Sequence, residues 1–149
     1  MITEETIDKC VAQINNYNDD IVDPFIEEQS EMISYTKSEI APNLLDDELR
    51  TFLFCLSVIY NSVKSQSNEE IEFDIEAFHE YDEKNWSTRD KSTSFSSSKD
   101  VLFEDYPQED LLAFVEDLIN DDEENNITEV GREIIFLNAK SYIDTLCEV

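Results

Sequence analysis

The chain has 149 residues, 37 of them Asp or Glu and 10 Lys or Arg, for a formal net charge of −27 at pH 7. Charge of that sign repels nucleic acid and anionic membrane and attracts cationic surfaces, which sets aside direct nucleic-acid binding and membrane association. Nine Phe and six Tyr within a 40% hydrophobic composition are too many for a disordered acidic tail. A single Gly excludes Gly-rich phosphate loops and the tight turns of a β-sandwich.

These bounds leave an all-α fold, and the length suits one acidic helical domain over 1–149. Cys10, Cys55 and Cys147 are odd in number, widely spaced and outside any Cys-x-x-Cys, as expected of reduced thiols in a cytoplasmic protein. Met1–Lys9 is acidic, unlike a secretory signal, and the longest apolar stretch, Thr51–Tyr60, is too short to span a bilayer.

The first predicted helix starts after Thr3 as N-cap, with Glu4 and Glu5 at its positive end and Ile2 and Ile7 placed as a hydrophobic staple. Ile7, Cys10, Val11 and Ile14 form its apolar stripe, and Asn15–Asn18 ends it. The second starts at Asp23–Pro24, read as an N-cap followed by Pro at the first helical position, and Pro42 stops it. The third runs from Asp47 to about Ser65, with Asp46 as its cap. Its apolar residues cover nearly the whole circumference, the mark of a helix buried on most sides.

Between 67 and 89 the pattern is mixed: Ile71, Phe73 and Ile75 alternate as in a strand, while Ile71, Ile75 and Phe78 repeat as in a helix. The expectation is a helix from near Asp74 through Trp86, preceded by an extended stretch. Lys91–Lys99 is Ser-rich and nearly neutral, and reads as a loop or linker. Tyr106–Pro107 opens another helix, Asp121–Asn126 is a connection, and the last helix covers about Thr128 to Cys147. The architecture expected is a bundle of five or six helices around two central apolar ones, about 47–65 and 128–147.

Glu76 and His79 have the Glu-x-x-His spacing that places a carboxylate and an imidazole on one helix face, as in di-iron bundles. That design needs two such motifs, and this chain has one His. The plain alternative is a pair of solvated side chains. The acidic segment Asn120–Glu133 faintly suggests a calcium loop, but both alignments fail: one places Ile127 where Gly belongs, the other Gly131 where the bidentate Glu belongs. No Gly-x-Ser-x-Gly motif and no cofactor motif occurs, so neither a catalytic residue nor a cofactor is assigned.

The acidic clusters are the remaining signal. One contains Glu69 and Glu70 and is extended by Asp82 and Glu83; another contains Asp121, Asp122, Glu123 and Glu124. Carboxylates three or four apart on a helix lie about 5–6 Å from each other, a spacing that can occupy a groove built for phosphates. They also serve as solvating faces. A small domain needs a net charge of only about 2–8 for solubility, which favours a functional role for the excess. Trp86, Tyr81 and Phe95 lie amid polar residues, where aromatics either anchor an interface or cap the core.

The expectation is therefore a non-enzymatic module that binds a basic protein partner through Glu69, Glu70, Asp82, Glu83, Trp86 and Asp121–Glu124. An inhibitor or immunity-type protein that mimics nucleic acid is its concrete form. Two other readings stay open: a scaffold subunit whose charge serves solubility, and a metal-dependent enzyme at Glu76 and His79.

Overall fold

The computed structural model describes residues 1–15, 19–67, 69–120 and 127–149, without the side chains of 19–23. Its regular elements are helical. Among the described residues eight α-helices follow in order: α1 (Glu4–Asn15), α2 (Asp19–Glu28), α3 (Ser30–Tyr35), α4 (Asp46–Lys64), α5 (Ile75–Lys91), α6 (Phe95–Phe103), α7 (Glu109–Asn120) and α8 (Glu129–Cys147). No strand occurs among the described residues, so the Ile71–Phe73 stretch pairs with nothing as a sheet. No helix among them is long and apolar enough to cross a membrane.

The class agrees with the sequence reading, but eight helices replace the expected five or six for two reasons. First, α2 begins at Asp19, so Pro24 lies inside a helix rather than at its start. The helix then breaks at Gln29, whose backbone leaves the helical region. The Gln29 side chain is buried and donates to the carbonyl of Ile71 at 3.0 Å while accepting from the Tyr142 hydroxyl at 2.8 Å. Those bonds tie the break to the segment before α5 and to α8. Second, the Ser-rich stretch 91–99 is not a linker. α5 continues to Lys91, and the Ser94 hydroxyl accepts from the Ser97 amide at 3.0 Å as the N-cap of α6. Phe95 and Phe103 of α6 then pack against Phe136.

α8 is the axis of the molecule. It packs on α4, α5 and α7, and Ile135–Thr145 is buried without interruption. Tyr60, Phe52, Leu56 and Ile59 of α4 and Leu111, Leu112 and Ile119 of α7 are fully enclosed beside it. Burial on that scale contributes about 1.5–3 kcal/mol for each large apolar side chain.

Helix starts in this chain are joined to one another by carboxylates. Glu48 Oε1 accepts from the Leu45 amide at 2.9 Å, and Oε2 accepts from the Thr128 amide and hydroxyl, both at 2.8 Å. Leu45, rather than Asp46, is the N-cap residue of α4. One carboxylate thus closes the first turn of α4 and holds the residue that caps α8. Desolvation alone would push the Glu48 carboxyl up, but these hydrogen bonds outweigh it and hold the group below its ordinary value. The approach is close: a Cβ on Gly131 would lie 1.9 Å from Glu48 Oε2. Asp110 does similar work at the start of α1, accepting from the Glu4 amide at 3.2 Å.

Candidate functional site

A recess of about 320 Å³ opens where the segment after α3 passes over α5 and α8. Tyr35, Glu39, Ile40 and Asn43 line it from one side, Asp82 and Trp86 from α5, and Ile134 and Asn138 from α8. Its shape follows from an irregular backbone. After Tyr35 the chain widens into a π-helical turn, Thr36–Ile40, then tightens into a 3-10 turn, Ala41–Asn43. Pro42 offers no N–H to the Ser38 carbonyl and its ring crowds that group, so the helix cannot continue at its normal pitch. Single π-turns of this kind are common at functional sites.

On the α5 wall, Asp82 and Trp86 are one turn apart and both half-buried. The Asp82 Oδ1 atom accepts from the Ser141 hydroxyl at 2.7 Å. Burial raises the Asp82 carboxyl, against the pull of the Ser141 hydroxyl, the charge of His79 and the Trp86 indole. Across the recess, burial also raises the Tyr35 phenol, with Asp82 and Glu39 adding to it through their negative charge. On the α8 wall, Asn138 is only 4% exposed and donates Nδ2 to the Ile134 carbonyl at 2.8 Å. No Lys or Arg lines the recess.

Behind Asp82 lies a buried polar network that fixes this wall. Asn85 donates to Ser141 Oγ at 2.9 Å and to Asp144 Oδ2 at 3.1 Å, and accepts from Lys140 Nζ at 2.9 Å. Lys140 pairs with Asp144 at 3.0 Å and sits 4.5 Å from the centre of the Tyr106 ring. The Tyr106 hydroxyl donates to Asp144 Oδ1. Asp82 is therefore the surface end of a chain of hydrogen bonds that locks α5 to α8.

The structure brings two of the sequence-derived candidates, Asp82 and Trp86, into one recess. Glu83 is exposed on another side of α5, and Glu69 and Glu70 are exposed in the connection that precedes that helix. Asp121, Asp122, Glu123 and Glu124 lie outside the described residues. The Tyr81 hydroxyl donates to the Val149 carbonyl at 2.6 Å, and Phe95 packs edge-on to Phe136 at 5.5 Å, so both rings make structural contacts. Glu76 and His79 are exposed on α5, and the His79 ring meets Tyr35 edge-on at 5.2 Å. Among the described residues no three His, Cys, Asp or Glu gather as metal ligands.

Sequence reasoning did not single out Tyr35, Glu39 or Asn138 as site residues. Asn138 did carry a signal, as a polar residue within an apolar helix flanked by Leu137 and Ala139. Tyr35 and Glu39 are four apart, but the π-turn that positions them has no marker beyond Pro42. Compared with protein-family models, curated proteins and solved structures, the chain matches none.

Proposed function

We propose that this protein is a non-enzymatic cytoplasmic binding module whose acidic surface docks on a basic protein, as an inhibitor or immunity-type protein occupying a nucleic-acid groove would. The observation that carries the reading is where the positive charge goes. Lys9, Arg50, Lys64, Arg89, Lys99 and Lys140 each pair with a carboxylate of the chain itself. Arg132 donates to the Ile119 carbonyl at 3.0 Å. Among the described residues only Lys37, Lys84 and Lys91 remain without such a partner, against a formal net charge of −27. Long-range steering by that field raises association rates and makes them salt-sensitive, while a few desolvated contacts set the lifetime.

The candidate contacts are Glu69, Glu70, Asp82, Glu83 and Trp86, with Asp121–Glu124 added from sequence. The test is capture from a lysate of the source organism on immobilised protein, with rising salt and with DNA as competitor. The reading predicts a basic nucleic-acid-binding protein released by moderate salt or by DNA. It also predicts that the combined variant Glu69→Lys, Glu70→Lys and Glu83→Lys, and separately reversal of 121–124, retain less of it. Self-association alone, or a partner indifferent to both salt and DNA, would contradict it and favour a scaffold whose charge serves solubility.

A further inference from the structure

A second recess, of about 540 Å³, lies where α5 and α7 end and α6 and α8 begin. Three of the chain's ten basic residues, Arg89, Lys99 and Arg132, line it. In a chain of net charge −27 that gathering is out of proportion to composition. The contacts these cations already make position them without using them up. Arg89 gives Nε to Glu133, and Arg132 gives Nε to the Ile119 carbonyl. A guanidinium has five donors, so both groups are fixed in place while their terminal nitrogens bond no described residue. Lys99 lies 3.6 Å from Glu116 and over the Phe95 ring. Two carboxylates share the lining: Glu133, which Arg89 engages, and Glu129.

The backbone adds to this field. α6 and α8 both present their N-termini here, and the amides of Phe95, Ser96, Glu129 and Val130 are first-turn donors without an acceptor in their own helix. The opposing ends of α5 and α7 are partly met: Ser92 bonds the Thr88 and Arg89 carbonyls, and Arg132 bonds that of Ile119. Hydroxyls complete the wall, and one of them is free. Those of Ser92, Thr93, Ser94, Ser97 and Ser98 each bond a neighbour. Ser96 is exposed, lines the recess, and its hydroxyl bonds no described residue. It lies three residues before Lys99, on the same face of α6.

We infer that this recess binds a phosphate monoester, its oxygens held by Arg89, Lys99 and Arg132 together with the first amides of α6. A carboxylate carries one charge in one plane, and a single guanidinium satisfies it. Cations on three helices suit a dianion with three acceptor oxygens. The volume lies within the usual range for ligand pockets, about 300–1,000 Å³. Net charge opposes an anion, but charges more than about 8 Å away are largely screened at physiological salt, so the nearby cations decide. The phosphoryl group has two sources. A free ester would lay its organic part on Phe95 and Val130, which also line the recess. Alternatively, a protein kinase phosphorylates Ser96. Its Oγ then bonds the terminal phosphorus of a nucleoside triphosphate as the bond from that phosphorus to the bridging oxygen breaks, the hydroxyl proton is lost, and nucleoside diphosphate leaves. The site is independent of the proposed docking function, which engages a cationic partner.

Two experiments on the full chain separate the sources. In the first, inorganic phosphate and phenyl phosphate are titrated at constant ionic strength and followed by amide NMR. Saturable shifts are expected in the first turns of α6 and α8. Arg132→Gln and, separately, Lys99→Gln should each weaken binding by about tenfold, the scale of a charge-assisted hydrogen bond. Lys84→Gln, at an exposed position of α5 outside this recess, should change nothing. In the second, phosphoserine is placed at position 96 and its phosphorus resonance is followed against pH. Its second ionisation, ordinarily at about 6, is expected to fall below that value and to return towards it in Arg132→Gln. A response in either experiment supports the site: the first alone assigns a free ester, the second alone Ser96. No saturable shift together with an ordinary or raised phosphoserine ionisation would overturn it. So would equal weakening by Lys84→Gln and Arg132→Gln, which would reduce the response to overall charge.

Discussion

At the residue scale, the most informative pair is Glu48 and Gly131. The backbone at Gly131 is helical and has no positive φ, so conformational freedom does not explain a glycine there. Space does, because the Glu48 carboxylate occupies the volume a Cβ would take. In an exposed helix interior, Gly→Ala stabilises by about 1 kcal/mol. Here Gly131→Ala is expected to destabilise by about 1–3 kcal/mol through loss of the hydrogen bonds to Glu48. In a Glu48→Ala background the same change should become stabilising by up to about 1 kcal/mol. Urea unfolding of the four proteins gives the cycle directly, and a Gly131→Ala effect of the same sign in both backgrounds would refute the steric account. Lys140 offers a second test. Its ammonium is nearly enclosed against Asp144, so Lys140→Met strands a buried charge and should cost about 3–5 kcal/mol. A loss below about 1 kcal/mol, typical of surface pairs, would place the pair in water. Neither role was legible beforehand. With 37 acidic residues, composition does not distinguish the few carboxylates that turn inward. The lone Gly was read only for the folds and the calcium loop it excludes.

At the element scale, long apolar segments were legible and short polar ones were not. α4 and α8 were placed within a residue or two because their apolar positions leave no other packing. The 91–99 segment misled because serine content resembles a linker. The decisive residues are those beyond it, where Leu102 is buried and Phe103 and Phe95 close on Phe136. Serine then acts as a cap rather than a spacer, since its hydroxyl satisfies a first-turn amide. Ser94→Ala should lower stability by about 1 kcal/mol and speed hydrogen exchange at the amides of α6, whereas a linker would show no protection in either protein. Asp23–Pro24 misled in the opposite sense. The dipeptide is a sound helix start locally, but the helix begins earlier and gives up one hydrogen bond at Pro24. The recess depended on the π-turn and on contacts between elements far apart in sequence. That left Asp82 and Trp86 visible as candidates and their partners Tyr35 and Asn138 hidden.

At the scale of the whole molecule, charge opposes folding as well as serving it. Thirty-seven acidic residues repel each other in the folded state, and that cost falls as carboxylates protonate. Asp82 acts in the same direction. Its folded pKa is raised, so the stability it contributes is present below its unfolded value and is lost as pH rises through the folded one. Glu48 acts oppositely. Its folded pKa is lowered, so its contribution is present above the unfolded value, about 4.3, and is lost as pH falls through the folded one. Thermal stability should therefore rise as pH is lowered from 7 towards the carboxylate range and fall again below it. Added salt should raise stability at pH 7 and matter less near the maximum. A melting temperature that falls steadily from pH 7 downward would mean that inward-facing carboxylates outweigh the repulsion.

The same field defines the protein's proposed use. The most direct measurement is the association rate with the captured basic partner, followed by stopped-flow Trp86 fluorescence from low to high ionic strength. Wild type is compared with the Glu69→Lys, Glu70→Lys, Glu83→Lys variant. The account predicts a fast rate at low salt that falls steeply as salt is added, by one to three orders of magnitude or roughly so, with a slower start and a shallower slope in the variant. A rate that ignores salt and is the same in both proteins would mean that the charge keeps the chain dissolved and plays no part in recognition.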